Sequence, residues 1–299
     1  MNLRQLYYFR KLAEKEHYTE AAAELSITQP SLSHAISELE KELGTYLFEK
    51  QGRNIRLTKY GRFFLAYVEK SLDELEKGER LLQELTSPSK GKIDLGFIYT
   101  MGAHFVPELV QEFTSQPGNQ EVTFSFFQGA TNSIIPKLKA EKFDLAICSH
   151  VEDEPEIQFT PITRQELVIV VAKNHPLAQK SSIDLYETAD YPFVFFADTS
   201  GLRPLIDDLF AEIGVTPNIA CYVEEDTAMA GLVSVNYGIA IMPNISSLPH
   251  YDVKVLPLKS PEHDRFIYLA TVKNRYLPPA ARKFRDFAIQ FGEANYLHK

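Results

Sequence analysis

The chain has 299 residues, 44% of them hydrophobic, which is room for about two domains with sizeable cores. A net charge of −9 excludes a protein that coats nucleic acid uniformly. Apolar runs such as 167–172 are far too short to cross a bilayer, and the N-terminus enters a helical stripe without an apolar signal region, so the expected compartment is the cytoplasm, with no membrane partner.

The charge is not spread evenly. Residues 1–65 hold ten Lys or Arg against eight Glu, a balance of +2, leaving 21 basic and 32 acidic residues, a balance of −11, for residues 66–299. The first predicted helix, 3–15, turns Leu6, Phe9 and Ala13 inward as scaffold. Thr19 is placed to cap a second short helix, whose Ala21, Ala22 and Ala23 allow close packing. Thr28 caps a third, with Pro30 in its first turn, where the missing donor costs little. In that helix Leu32, Ile36, Leu39 and Leu43 recur at spacings of four, three and four, so one side is buried. The other side carries Gln29, Pro30, Ser31, Ser33, His34 and Ser37, compact polar residues with a bidentate amide at the front.

Two ordinary bundle helices would share that pattern, and the next stretch separates the readings. After Gly44 come the apolar residues 46–48, a turn-rich 50–54, and the alternating 55–57, which together predict a hairpin. A hairpin bearing Lys50, Arg53 and Arg56 beside such a helix is a wing suited to phosphates or the minor groove. The pattern is that of a winged helix-turn-helix reader of the major groove. A long helix follows from 58, with Leu65, Val68, Leu72, Leu75 and Leu82 as a narrow seam that needs a partner. Residues 87–91, SPSKG, form a polar hinge.

Beyond the hinge the rhythm alternates. Strands are predicted at 93–99, 122–127, 143–148, 167–171, 193–196, 219–223, 239–242 and 266–272. Helices are predicted at 105–113, 133–139, 202–213, 227–235 and 280–291. This gives two α/β units, the first with a parallel βαβαβ sheet. Between two such units, at the carboxyl ends of strands, a small ligand belongs. The expected lining is Tyr99, Thr100 and Met101; Gln128, Gly129 and Thr131; Thr199, Ser200, Gly201 and Arg203; and Asp226 and Ala228. Ser200 and Gly201 precede a helix N-terminus, and Arg203 offers a fork for a carboxylate, so an anionic metabolite is expected. The competing reading has Arg203 paired with Asp207 one turn on. Cys148 and Cys221 lie in apolar, strand-like surroundings and read as inert buried thiols. No GxSxG, HExxH or P-loop pattern is present, and no two histidines sit at a metal-ligand spacing; neither an enzyme nor a cofactor is expected. A small-molecule receptor or an enzyme on a solute-binding fold is the alternative.

The segments LRQLYYFRKLAE, YTEAAAELSITQPSLSHAISELEKELGTYLFEK and GRNIRLTKYG closely resemble, in order and spacing, the N-terminal domain of LysR-type transcriptional regulators. GLVSVNYGIAIMPN, 231–244, is similar to the family's second effector subdomain. The resemblance implies an α+β multidomain chain. A winged helix-turn-helix spans 1–58, a linker and dimerisation helix 59–88, and a periplasmic-binding-protein-like α/β effector domain 89–299. That domain comprises subdomain I (92–162 and 269–299) and subdomain II (163–268). It implies double-stranded promoter DNA, a small-molecule effector, RNA polymerase and further copies of the chain, as homodimer and homotetramer, as partners. The DNA-facing set is then Tyr18 with Thr28 to Ser31, Ser33, His34 and Ser37, and the wing's basic residues. Where His34 stands the family usually carries Arg or Gln, and a neutral imidazole cannot replace a guanidinium fork.

Overall fold

A computed structural model describes residues 1–52 and 54–297, which fall into two compact units, 1–84 and 85–299. Arg53, expected on the wing, lies outside the described residues.

The first unit opens with α1 (Leu3–Lys15), where Asn2 and Gln5 form a reciprocal capping box at 3.0 Å. Helix α2 (Tyr18–Glu24) is capped by His17, whose Nδ1 accepts the Glu20 N–H, and not by Thr19. The extended backbone at His17 ends the linker two residues earlier than the Thr19 reading required. Helix α3 (Gln29–Leu43) starts at Thr28, whose hydroxyl accepts the Ser31 N–H at 3.3 Å, and stops at Gly44 in the left-handed region. Strands β1 (Phe48–Gln51) and β2 (Asn54–Leu57) form the expected antiparallel hairpin. Its root is fixed by Glu40 Oε1, which accepts the N–H groups of Leu47 and Phe48 at 2.7 and 3.1 Å.

Helix α4 (Lys59–Leu85) packs back on this unit. A Cβ on Gly61 would stand 2.1 Å from the Leu47 carbonyl oxygen, so only glycine lets helix and wing root meet there. Val68 and Leu72 are buried in one core with Phe9, Leu12, Ile36 and Leu39. Ion pairs from Arg10 to Asp73 and Glu76 hold the same face. This corrects the expected seam: α1 already covers half of it. Leu75 and Leu82 of that seam stay exposed, and with Tyr60, Phe63, Tyr67, Leu81 and Leu85 they make up the apolar stripe that remains open.

The second unit has two lobes with separate hydrophobic cores. Lobe I contains β3 (Lys92–Phe97), α5 (Phe105–Ser115), β4 (Thr123–Gln128), α6 (Thr131–Lys139), β5 (Leu145–Cys148) and β6 (Ile157–Arg164). Lobe II contains β7 (Leu167–Ala172), β8 (Ile183–Asp184), β9 (Pro192–Phe196), α7 (Arg203–Glu212), β10 (Asn218–Val223), α8 (Asp226–Ser234), β11 (Ala240–Pro243) and β12 (Val253–Ser260). The chain then returns to lobe I through β13 (Phe266–Val272) and α9 (Pro279–Asn295). Lobe I is a sheet in the order β4-β3-β5-β13-β6, parallel over its first three strands. Lobe II has β11-β7-β12-β8 and the parallel pair β9/β10, joined by a bridge between Phe193 and Ile239.

Strands β6, β8 and β12 are absent from the sequence reading, because Pro161 and Pro257 and interspersed polar residues mask their alternation. Strands β6 and β13 pair along their whole length, from Phe266 opposite Arg164 to Val272 opposite Ile157. The crossings therefore fall at 165–166 and 261–265, after 162 and before 268 where they were expected. Cys148 is fully buried, with its thiol pushed up to about 12 by burial, and Cys221 is half-buried.

Candidate functional site

Two surfaces carry chemistry. The first is the front of α3. Leu32, Ile36 and Leu39 hold its back in the core, so the 3.6-residue period leaves Thr28, Gln29, Pro30, Ser31, His34 and Ser37 exposed and Ser33 half-buried. Thr28 and Ser31 hydroxyls bond each other at 2.8 Å. The side chains of Gln29, His34 and Ser37 have no hydrogen-bond or ion-pair partner among the described residues, so the amide of Gln29 keeps both its donor and its acceptor unused. Tyr18 is half-buried, and burial, with the Glu40 carboxylate nearby, raises its phenol above the ordinary value, so it stays a donor. On the wing Lys50 is exposed, while Arg56 is held by Glu49 across the hairpin at 2.6 Å.

The second surface is a narrow cleft between the lobes of the second unit. Lobe I contributes the carboxyl ends of its three parallel strands: Ile98, Tyr99 and Thr100 after β3, Gly129 to Thr131 after β4, and Ser149 after β5. Lobe II contributes Phe196 at the end of β9, Ser200 to Leu202 before α7, and Glu224 and Asp226 at the start of α8. A Cβ on Gly201 would stand 2.6 Å from Ser149 Cβ and 2.7 Å from Thr131 Oγ1, so this glycine is what lets the lobes close on each other. Asn132 Nδ2 donates to the Asp198 carbonyl across the mouth at 3.4 Å.

The structure brings Tyr99, Thr100, Gly129, Thr131, Ser200, Gly201 and Asp226 together, and leaves the other expected residues out. Met101 turns into the lobe I core as the end of β3 winds into a single tight turn. Gln128 donates to the Tyr99 carbonyl, and Thr199 donates to Glu224 Oε1 on the rim. Ala228 lies two residues beyond Asp226, about 200° round the helix, and faces solvent. Arg203 is also corrected. Its Nε donates to both Asp207 oxygens at 2.8 Å, an Nη donates to the Phe196 carbonyl at 3.0 Å, and its plane lies near the Phe195 and Tyr222 rings. Those contacts hold its guanidinium against Asp207 and the two rings, and Arg203 does not line the cleft.

Sequence reasoning missed Ser149, Glu224 and, above all, Arg265. Arg265 sits on the returning crossover, 5% exposed, donating through Nε to Gln165 Oε1 at 2.8 Å and through Nη2 to Ser149 Oγ at 3.3 Å. Burial lowers its pKa to about 10, partly offset by Asp226. Asp226 is 4% exposed; burial raises its carboxyl to about 7, against the opposing pull of Arg265 and of its own backbone N–H. Asp226 Oδ1 and Thr100 Oγ1 are buried without a hydrogen-bond partner, and both residues line the cleft. Buried polar groups are normally satisfied, so these two are unmet polar atoms in the cleft wall.

Residues 86–292 match the family described as LysR substrate binding domain, and residues 3–62 match Bacterial regulatory helix-turn-helix protein, lysR family. The uncharacterized HTH-type transcriptional regulator YybE of Bacillus subtilis is 36% identical over 289 residues, covering 97% of this chain and 98% of that protein. The transcriptional dual regulator GltC of the same organism is 31% identical over 295 residues, covering 97% of each. A solved structure described as the effector binding domain of QuiR in complex with shikimate is 68% identical. It covers 70% of this chain and 100% of its own, with a TM-score of 0.69.

Proposed function

The chain belongs to the LysR family of bacterial transcription regulators, and on that premise we propose that it reads promoter DNA as an oligomer and alters transcription when a small hydroxylated carboxylate of the shikimate type occupies the cleft. The observation that carries the ligand class is the 68% identity, across the whole of that domain, to an effector domain described with shikimate bound. The lining agrees with it: backbone donors at Ser200 and Gly201 before α7 suit a carboxylate, and the Asp226, Arg265, Ser149 and Thr100 side chains suit hydroxyls.

DNA reading belongs to α3 and the wing, with Gln29 on a base edge and Lys50 on phosphate. Pairing of two chains through the open stripe of α4 supplies two readers for two half-sites, and pairing of dimers gives the tetramer. Its place of action is then the cytoplasm, where promoter DNA lies. Ligand that holds the lobes closed biases the spacing of the readers by differential affinity for the two states. Isothermal titration of the full chain with shikimate, and footprinting of the DNA upstream of its own coding region with and without shikimate, test both halves. Micromolar heats with a changed footprint are expected. No heat, together with an unchanged footprint, overturns the ligand.

A further inference from the structure

Two buried opposite charges normally close on each other, because a buried charge without a partner is costly. In the cleft they do not. Asp226 opens α8 in lobe II and Arg265 lies on the crossover, both in the cleft lining, yet no ion pair within 4.0 Å joins them among the described residues. Arg265 is tethered by Gln165 and Ser149, which keep it from swinging toward α8. Asp226 Oδ1 is left buried and without a hydrogen-bond partner.

Resting on the cleft being the ligand site, we propose that Asp226 and Arg265 form a split pair that reads one ligand hydroxyl, which donates to Asp226 while accepting from Arg265. A hydroxyl is the smallest neutral group that can do both at once. A carbonyl at the same place accepts from Arg265 but has nothing to give an ionised Asp226. It fits only when Asp226 carries a proton and donates. The pair therefore tells hydroxyl from ketone by its own protonation state.

Burial places the titration of Asp226 at about 7, so the choice falls in the neutral range. The charged groups facing Asp226 are Arg265 and the adjacent Glu225, with Glu224 on the rim. The strands packed on α8, β7, β9, β10, β11 and β12, present no buried charge to it; their Lys254 and Lys259 are exposed. A hydroxyl ligand binds the ionised form and releases a proton on binding, whereas a ketone ligand binds the protonated form and takes one up.

The test is isothermal titration of the full-length protein at pH 6, 7 and 8 with shikimate and with its ring-ketone analogues, whose carboxylates stay ionised throughout. Between pH 6 and 8 the ionised fraction of a group titrating near 7 rises roughly tenfold, so shikimate affinity should rise roughly tenfold and that of the ketone matching the read position should fall by as much. Asp226→Asn should flatten both profiles, whereas Glu225→Gln, which removes a charge that raises the Asp226 carboxyl, should keep their opposite slopes and move both toward lower pH. The two wild-type profiles decide the matter even if a variant folds poorly. Profiles that run parallel for hydroxyl and ketone ligands, or that survive in Asp226→Asn, overturn the proposal alone. Absence of shikimate binding by wild-type protein at every pH overturns the ligand reading and this proposal with it.

Discussion

Leu72 and Leu81 lie on the same helix, α4, and separate two roles that a heptad pattern merges. Leu72 is 0% exposed within its own chain, against the core that includes Phe9 and Leu12. Leu72→Ala removes three carbons, a transfer loss of ~2.4 kcal/mol at ~0.8 kcal/mol per carbon. Aromatic and helix-bound neighbours collapse poorly into the space, so the full cost is expected at ~3–5 kcal/mol. In a unit of this size that lowers the melting temperature by more than roughly 10 °C. Leu81 is 50% exposed and on the open stripe, so Leu81→Lys should change the protomer's stability by less than about 0.5 kcal/mol while setting like charges against each other across a two-fold seam. Light scattering and thermal melts of both variants read the difference: Leu72→Ala a destabilised dimer, Leu81→Lys a stable monomer with poor operator affinity. If Leu81→Lys remained dimeric while Leu72→Ala gave a folded monomer, the assignment of the two faces would be reversed.

Gln29→Ala should cost ~1–3 kcal/mol of discrimination between operator and mismatched DNA while leaving nonspecific binding nearly intact, read by competition gel shift; equal loss on both DNAs counts against base reading. Lys50→Ala should weaken all sequences alike and reduce the magnitude of the salt slope by about one, and an unchanged slope removes Lys50 from the phosphate contacts. Gly201→Val puts a side chain where Ser149 Cβ would be 2.6 Å from its first carbon, so shikimate affinity should fall at least tenfold with little change in melting temperature; unaltered affinity would show that closure is not needed. Asp226 binds its proton more tightly folded, at about 7 against an ordinary 3.8, so the folded state holds more protons between those values and stability declines as pH rises through them. Asp226→Asn should remove that decline, a gain at pH 8 of at most ~4 kcal/mol, from about three pH units at ~1.4 kcal/mol each. Denaturant melts that fall equally for both proteins from pH 5 to 8 would refute it.

The reader was legible because its signals are local. Capping at Thr28, the four-three-four spacing of Leu32, Ile36, Leu39 and Leu43, and the hairpin around Gly52 depend on residues within one or two turns of each other. The ends of β3 and β4 could likewise be placed in a cleft, since the carboxyl ends of parallel strands share one edge of the sheet. The misses have a different cause. Periodicity marks both Leu72 and Leu75 as apolar but is silent on which face another helix of the same chain takes, and α1 takes Leu72. Arg203 stands at a helix start where an anion could sit, yet Asp207, four residues on, is already within reach.

Arg265 shows the division most clearly. It lies 100 residues from Gln165 and 116 from Ser149, in a charged stretch that looks like any exposed loop. The sequence by itself determined the kinds of elements, the winged reader and the two α/β lobes, because helix and strand periods and turn chemistry are short-range. Only the tertiary structure decided which charges are buried, which face of α4 stays open and which side chains share the cleft. Burial and the meeting of crossovers are properties of chain segments brought together from far apart.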